Sequence, residues 1–306
     1  MICLCGLFGL CGLFGLCTLL FRKYKKYYHL DIKRIKGPGR KSKSLYIISG
    51  NSNLYRMAVE YLNGIALSFD EVVMIQYHST YRGTELEQFH GESGAVIVYL
   101  GLLPRKPLPN AFFLNVEQLS CKKWLDHIKD IGQKCRLLDY SGANVNILQK
   151  HGVKSTCVPY PYNPVEILSL EKKLQLCMIG NTGDRRGLIW SQLIREKAPV
   201  TNVLGWGSER DALLFQHKIL LNIHMDREHT IFEEIRCTRC VFNKIIVITE
   251  ESDDIQEYMY RKHIIVVPYD KLVSTAVEVL ANYDQYYTSL FHDFQVLPAQ
   301  SIDIRC

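Results

Sequence analysis

From Ser44 onward the chain is organised by short, unbroken apolar runs. SLYIISG (44–50), EVVMIQY (71–77), GAVIVYL (94–100), AFFLNV (111–116), CRLLDY (135–140) and STCVPY (155–160) come first; LQLCMIG (174–180), VTNVLG (200–205), HKILLNIH (217–224), KIIVITE (244–250) and HIIVVPY (263–269) follow. Apolar runs without polar alternation are the pattern of strands buried on both faces, as in a parallel sheet. Helical stretches are predicted between them at 54–67, 120–131, 144–151 (closed by Gly152), 184–196 and 230–242, with a last helix from near Tyr269 past Tyr283. Strand–helix–strand order with right-handed crossovers predicts an α/β fold. The prolines of PYPYNP (159–164) interrupt the pattern, so two α/β domains are expected, 44–160 and 161–306.

Before them, residues 1–21 contain no charged side chain and repeat the hexapeptide CGLFGL. As a helix this stretch would be about 31 Å long, close to the hydrocarbon thickness of a bilayer. A cleaved export signal would need positive charge ahead of the apolar core and a small-residue cleavage site, and neither is present. A single uncleaved membrane anchor is therefore expected. Residues 22–43, a linker containing KGPGRKSKS (36–44), carry ten Lys or Arg against Asp31, a local charge of +9; the whole chain is +6, so the remainder is −3. Positive flanks stay cytoplasmic, which predicts a single-pass protein with a cytosolic body. Charge this localised suits lipid headgroups rather than nucleic acid. Of the eleven cysteines, four lie in the anchor and seven are scattered through the body, several in apolar runs as buried free thiols are. No disulfide framework is expected.

Three stretches carry candidate chemistry. In MIGNTGDRRGLIW (178–190) a strand ends at Gly180, Asn181 follows, and a helix begins at Asp184 with Arg185 and Arg186 in its first turn. Helix N-termini with adjacent arginines bind phosphate, although solvated arginines on a surface helix give the same pattern. Neither a P-loop nor a dinucleotide glycine fingerprint is present. In ILLNIHMDREHTIFEEIRCTRC (219–240) a strand ends in Asn222 and His224, and Glu233 and Arg236 lie three apart on one helical face. The third is IIVITEE (245–251), ending in Glu250 on the same edge. The carboxyl ends of strands are where open α/β sheets bind ligands. His224, Asp226, Glu228 and His229 do not form a recognisable closed metal set, and Cys237–Cys240 has no second pair, so no metal or other cofactor is expected.

These residues resemble the donor half of a nucleotide-sugar glycosyltransferase of the GT-B type, in the group found in bacterial surface-polysaccharide clusters and large DNA viruses. The resemblance rests on ILLNIH, FEEIRCTRC, IIVITEE, IGNTGDRRG and GWGSERD, with LNVEQL (114–119) and DYSGAN (139–144) in the first half. It implies two Rossmann-like domains in series, an acceptor side at 44–160 and a donor side at 161–306. It also implies a nucleoside-diphosphate sugar donor and a glycan, glycolipid or glycoprotein acceptor. Glu233 would be the ribose ligand, with Glu234 as the fallback; Arg185, Arg186 and Arg236 would neutralise the diphosphate. Trp206 would stack on the base or be buried at a strand end, and His224 would touch sugar or phosphate or be structural. An inverting transfer needs a base from the first domain. Glu117 is the first choice, ahead of Asp139 and His78, unless it caps the following helix. Two departures leave donor identity and stereochemistry open: Arg239 stands where relatives carry an acid, and the position eight before Glu234 is Asp226. A non-catalytic scaffold is the rival reading.

Overall fold

The computed structural model describes residues 31–36, 44–49, 71–76, 96–101, 103–104, 107–108, 111–160, 162 and 164–296. The expected anchor at 1–21, much of the linker, the expected helix at 54–67 and His78 lie outside them. Among the described residues no helix is long and apolar enough to cross a membrane.

The first sheet contains β1 (Asp31–Lys36), β2 (Ser44–Ser49), β3 (Glu71–Gln76), β4 (Val96–Leu100), β5 (Phe112–Asn115), β6 (Arg136–Asp139) and β7 (Ser155–Cys157), in the order β1-β3-β2-β4-β5-β6-β7. All its pairings are parallel except β1 with β3. The second contains β8 (Lys173–Ile179), β9 (Val200–Val203), β10 (His217–Asn222), β11 (Ile246–Glu250) and β12 (Ile264–Val267), in the order β12-β11-β10-β8-β9, all parallel. The helices are α1 (Lys122–Gly132), α2 (Gly142–Lys150), α3 (Asp184–Arg195), α4 (Gly207–Leu214), α5 (Glu234–Phe242), α6 (Leu272–Ala281) and α7 (Tyr283–Phe291).

The apolar runs are strands because both of their faces are covered. In β4, Val96, Val98 and Leu100 join one buried cluster, while Ile97 and Tyr99 join another. The first cluster continues into the second sheet through Tyr140, Val158 and Tyr160 and takes in Leu176, Leu220 and Ile248. Burying a Leu or Val side chain contributes roughly 1.5–3 kcal/mol, so this apolar continuity is a large stabilising term.

Four elements differ from the expectation. Asp31–Lys36, read as part of the linker, is strand β1, paired antiparallel from Asp31↔Gln76 to Lys36↔Glu71. An edge position tolerates so charged a strand. GWGSERD, for which the resemblance implies a donor-domain loop, contains the start of α4. Helix α5 begins at Glu234 rather than Thr230, because the amides of Thr230, Ile231 and Phe232 donate to Ser120 Oγ, Gln118 Oε1 and Asp254 Oδ1 and hold that segment in a loop. The single terminal helix is two, broken at Asn282.

Candidate functional site

In the second sheet, β8 runs between β10 and β9, so the chain leaves β8 toward one side and later returns to the other. That makes the carboxyl ends of β8 and β10 a topological switch point, where open α/β sheets form a crevice. A cleft of about 580 Å³ lies there. The second half lines it with Gly180 and Asn181 after β8, Leu204, Gly205 and Trp206 after β9, Met225 after β10, and Glu233 and Arg236 at the start of α5. The first half contributes Glu117 and Gln118 after β5, Trp124 on α1 and Tyr140 after β6. The carboxyl edges of both sheets thus meet across one cleft.

Its most ordered feature is a carboxylate between two guanidiniums. Glu233 Oε1 lies 3.5 Å from Arg186 Nη2, and Glu233 Oε2 accepts from Arg236 Nη1. Arg236 Nη1 also donates to Asn222 Oδ1 at 3.0 Å, and Asn222 Nδ2 donates to Thr249 Oγ1 at 3.1 Å. Arg186 is buried; its Nε donates to the Ile223 carbonyl at 2.8 Å, and burial pulls its pKa down. Gly180 has φ +100°, and a Cβ built there would lie 2.9 Å from Arg186 Nη1. Only glycine combines that backbone with that approach.

Arg185 and Glu250 do not reach the cleft. They form a two-pronged pair, Nη1–Oε1 at 3.0 Å and Nη2–Oε2 at 2.7 Å, with the Arg185 guanidinium 4.1 Å from the Tyr269 ring centroid. Glu250 Oε1 also accepts the His224 amide at 2.5 Å, so the pair ties β11 to the turn after β10. His224 is buried outside the cleft lining, with Nε2 3.0 Å from Ser252 Oγ. Asn222 lies beneath the cleft as the support of Arg236. Arg185, Asn222, His224 and Glu250, all expected at the binding edge, stand behind the residues that line the cleft. Glu234 turns away from the cleft. Its carboxyl is pushed up to about 8 by burial and then by Asp254. Glu233, the expected ribose ligand, lines the cleft with one arginine on each carboxylate oxygen.

Trp206 is 37% exposed rather than buried at its strand end, and it lines the cleft with the Arg210 guanidinium 5.9 Å from its ring centroid. Glu117 does not cap α1, whose N-cap is Cys121. Its backbone is fixed instead. Its carbonyl accepts from Asn115 Nδ2 at 3.0 Å and Asn144 Nδ2 at 2.9 Å, and its amide donates to Asn115 Oδ1 at 3.1 Å. Asp139 holds both asparagines from below, at 2.7 and 2.9 Å. Asp139 is fully buried, so it supports the loop and is not available as a base. The Glu117 carboxyl makes no hydrogen bond among the described residues. Burial raises its pKa, opposed by positive charge on His229 and Lys123.

Arg239, one turn beyond Arg236, points into the protein. It bonds Glu166 Oε2 at 3.1 Å and both oxygens of Asp211, at 3.1 and 2.5 Å. Cys237 and Cys240 are core residues of α5, and the six cysteines among the described residues are free thiols. Asp226 bonds His229, and Glu228 accepts from Cys121; among the described residues no group of three such side chains could hold a metal ion. Sequence reading missed Gln118, Tyr140 and Trp124 in the cleft. Trp124 had a signal, an aromatic in the first turn of the helix that follows LNVEQL.

No protein-family profile matches the chain. It is 34% identical over 189 residues to an uncharacterized protein of Acanthamoeba polyphaga mimivirus, covering 60% of this chain and 66% of that one. A second uncharacterized mimivirus protein is 32% identical over 205 residues, covering 63% of this chain and 67% of the relative. The chain belongs to this family of mimivirus proteins. It spans about two thirds of those two relatives and 25% of a third, longer mimivirus protein, with which it is 29% identical over 182 residues. Among solved structures, a crystal structure of an alpha1,3-fucosyltransferase aligns over 87% of the chain and 86% of its own length, at 13% identity and a TM-score of 0.44. The same enzyme class with GDP aligns at 12% identity and a TM-score of 0.43, over 87% of each chain.

Proposed function

We propose that the chain is a nucleotide-sugar-dependent glycosyltransferase of the GT-B type. The observation that carries the reading is the cleft wall. Two arginines clamped by one carboxylate at the carboxyl edge of one sheet face, across the cleft, a carboxyl from the other that makes no hydrogen bond among the described residues. The volume falls within the usual range for a small-molecule site, roughly 300–1,000 Å³. Arg186 and Arg236 would hold the diphosphate and Trp206 would stack on the base, with Gly180 and Asn181 beneath the phosphates. Negative charge on the diphosphate grows as the glycosidic bond breaks, so fixed guanidiniums stabilise the transition state more than the ground state. Glu117 would take the proton of the acceptor hydroxyl. Its raised pKa makes it a stronger base than an exposed carboxylate. The arginines supply the charge in this scheme, and no metal takes part in it. A glycan, glycolipid or glycoprotein supplies the hydroxyl, and residues 1–43 hold a cytosolic body at a membrane.

The scaffold reading leaned on Arg239 standing where relatives carry an acid. Arg239 faces Glu166 and Asp211 rather than the cleft, so its identity leaves the donor wall unaltered.

The test is calorimetric titration of the full chain with nucleoside diphosphates, followed by transfer assays with the sugar of whichever one binds. Glu117→Gln should keep diphosphate affinity and lower turnover by about a hundredfold or more. If no nucleoside diphosphate binds the wild-type chain, the proposal fails.

A further inference from the structure

The loop after β5 and the loop before α5 run past each other where the two halves meet. Gln118 Oε1 accepts the Ile231 amide at 3.0 Å, Ser120 Oγ accepts the Thr230 amide at 3.1 Å, and Cys121 Sγ donates to Glu228 Oε2 at 3.4 Å. Stitched in this way, the loops present Glu117 and His229 to the same cleft from opposite halves. The His229 ring is itself anchored. Its Nδ1 lies 2.7 Å from Asp226 Oδ1, and that oxygen also accepts the amides of Glu228 at 2.8 Å and His229 at 3.1 Å. An ionised carboxylate can only accept, so the ring proton sits on Nδ1 and the lone pair of the neutral ring is on Nε2. Neither Nε2 nor the Glu117 carboxyl makes a hydrogen bond among the described residues.

We propose that His229, oriented by Asp226, is the proton relay for Glu117. The inference rests on the transferase reading above. In the transfer step the acceptor O–H bond breaks and its proton goes to the Glu117 carboxylate. The acceptor oxygen bonds to the anomeric carbon, and the bond from that carbon to the diphosphate oxygen breaks, its electron pair leaving with the diphosphate. Glu117 then passes the proton, through a water in the cleft, to His229 Nε2. The imidazolium, its Nδ1–H still held by Asp226, gives the proton to water, and both side chains are restored. Asp226 also stabilises the imidazolium while it exists. A charged His229 lowers the Glu117 pKa, the effect the imidazolium has once it holds the proton. Lys123, on α1, adds positive charge to the same carboxyl. His229 acts through Glu117 and is a positioning and relay residue; the contact with substrate belongs to Glu117.

The experiment uses His229→Ala, His229→Gln and Asp226→Asn in the full chain, with turnover, donor KM and nucleoside-diphosphate affinity measured for each. His229→Ala should lower kcat about ten- to hundredfold, leave KM and affinity within about twofold, and regain turnover when imidazole is added. His229→Gln should show the same loss without rescue. Asp226→Asn should show a smaller loss, since the ring remains but its tautomer is no longer held. A His229→Ala enzyme with kcat within about twofold of wild type, or a loss that imidazole never restores, overturns the relay and leaves the transferase reading standing. A wild-type chain that neither binds a nucleoside diphosphate nor transfers a sugar overturns both.

Discussion

Glu233 sets one carboxylate oxygen 3.5 Å from Arg186 Nη2 while its other oxygen holds Arg236, so one acid orients two guanidiniums on the cleft wall. The group keeps one net positive charge, and with Asn222 behind Arg236 both cations are fixed before any ligand arrives. Fixed donors bind anions without the entropy cost of ordering them.

Arg186→Ala and Arg236→Ala are therefore each expected to weaken nucleoside-diphosphate binding about ten- to hundredfold, the worth of a charge-assisted hydrogen bond. Affinity for the free nucleoside should change little. Calorimetry with both ligands checks this, and an equal loss for both would remove the arginines from phosphate recognition.

Gly180→Ala should act on the same arginine from the backbone. The residue has φ +100°, and its new Cβ would lie 2.9 Å from Arg186 Nη1, which is tethered through Nε to Ile223. About 1–2 kcal/mol of stability should be lost to backbone strain. Diphosphate affinity should fall with it. Thermal melts and titrations of the same sample measure the two effects.

Arg239→Met should be a stability variant and nothing more. It leaves Glu166 buried without its cation and Asp211 with Arg210 alone, at a cost of roughly 3 kcal/mol. The midpoint of urea unfolding should shift accordingly, while diphosphate affinity per folded molecule is unchanged.

Glu234 offers a pH test. Its carboxyl is held near 8, against an ordinary value of 4.5, by burial first and by Asp254 second. Between those values the folded chain keeps a proton that the unfolded chain has released. The stability contributed by this proton is therefore full below the unfolded value and is lost as pH rises toward 8, by up to about 1.4 kcal/mol per pH unit. Glu234→Gln removes the titration. Its melting temperature should match wild type near the acid end of the window and exceed it at pH 8. A wild-type slope in the variant would show that Glu234 titrates normally.

Much of the architecture was legible in the sequence. Runs such as GAVIVYL have no polar face, and a strand with no polar face has to be covered on both sides, as Val98 and Tyr99 of β4 are by two different clusters. DIKRIK was not legible as β1, because an edge strand is held by its backbone ladder to β3 rather than by an apolar pattern. Nor was α4, where Gly205 and Gly207, at φ 97° and 71°, read as a loop although Gly207 is the first residue of an eight-residue helix.

At the site the division between the two sources of information is sharper. The sequence alone marks the strand ends and helix starts where ligands gather, and it supplies the acids and arginines found there. It presents Arg185 beside Arg186 and Glu233 beside Glu234 as near-equivalents. Arg185 and Arg186 are separated by about 100° of rotation on α3, and Glu233 is the non-helical residue ahead of α5, so the way each helix start settles onto its sheet decides which of the two faces the cleft. In the folded chain that settling sends Arg186 and Glu233 into the cleft, Arg185 onto Glu250, and Glu234 toward Asp254. It is set by packing between segments far apart in the chain, and no local pattern encodes it.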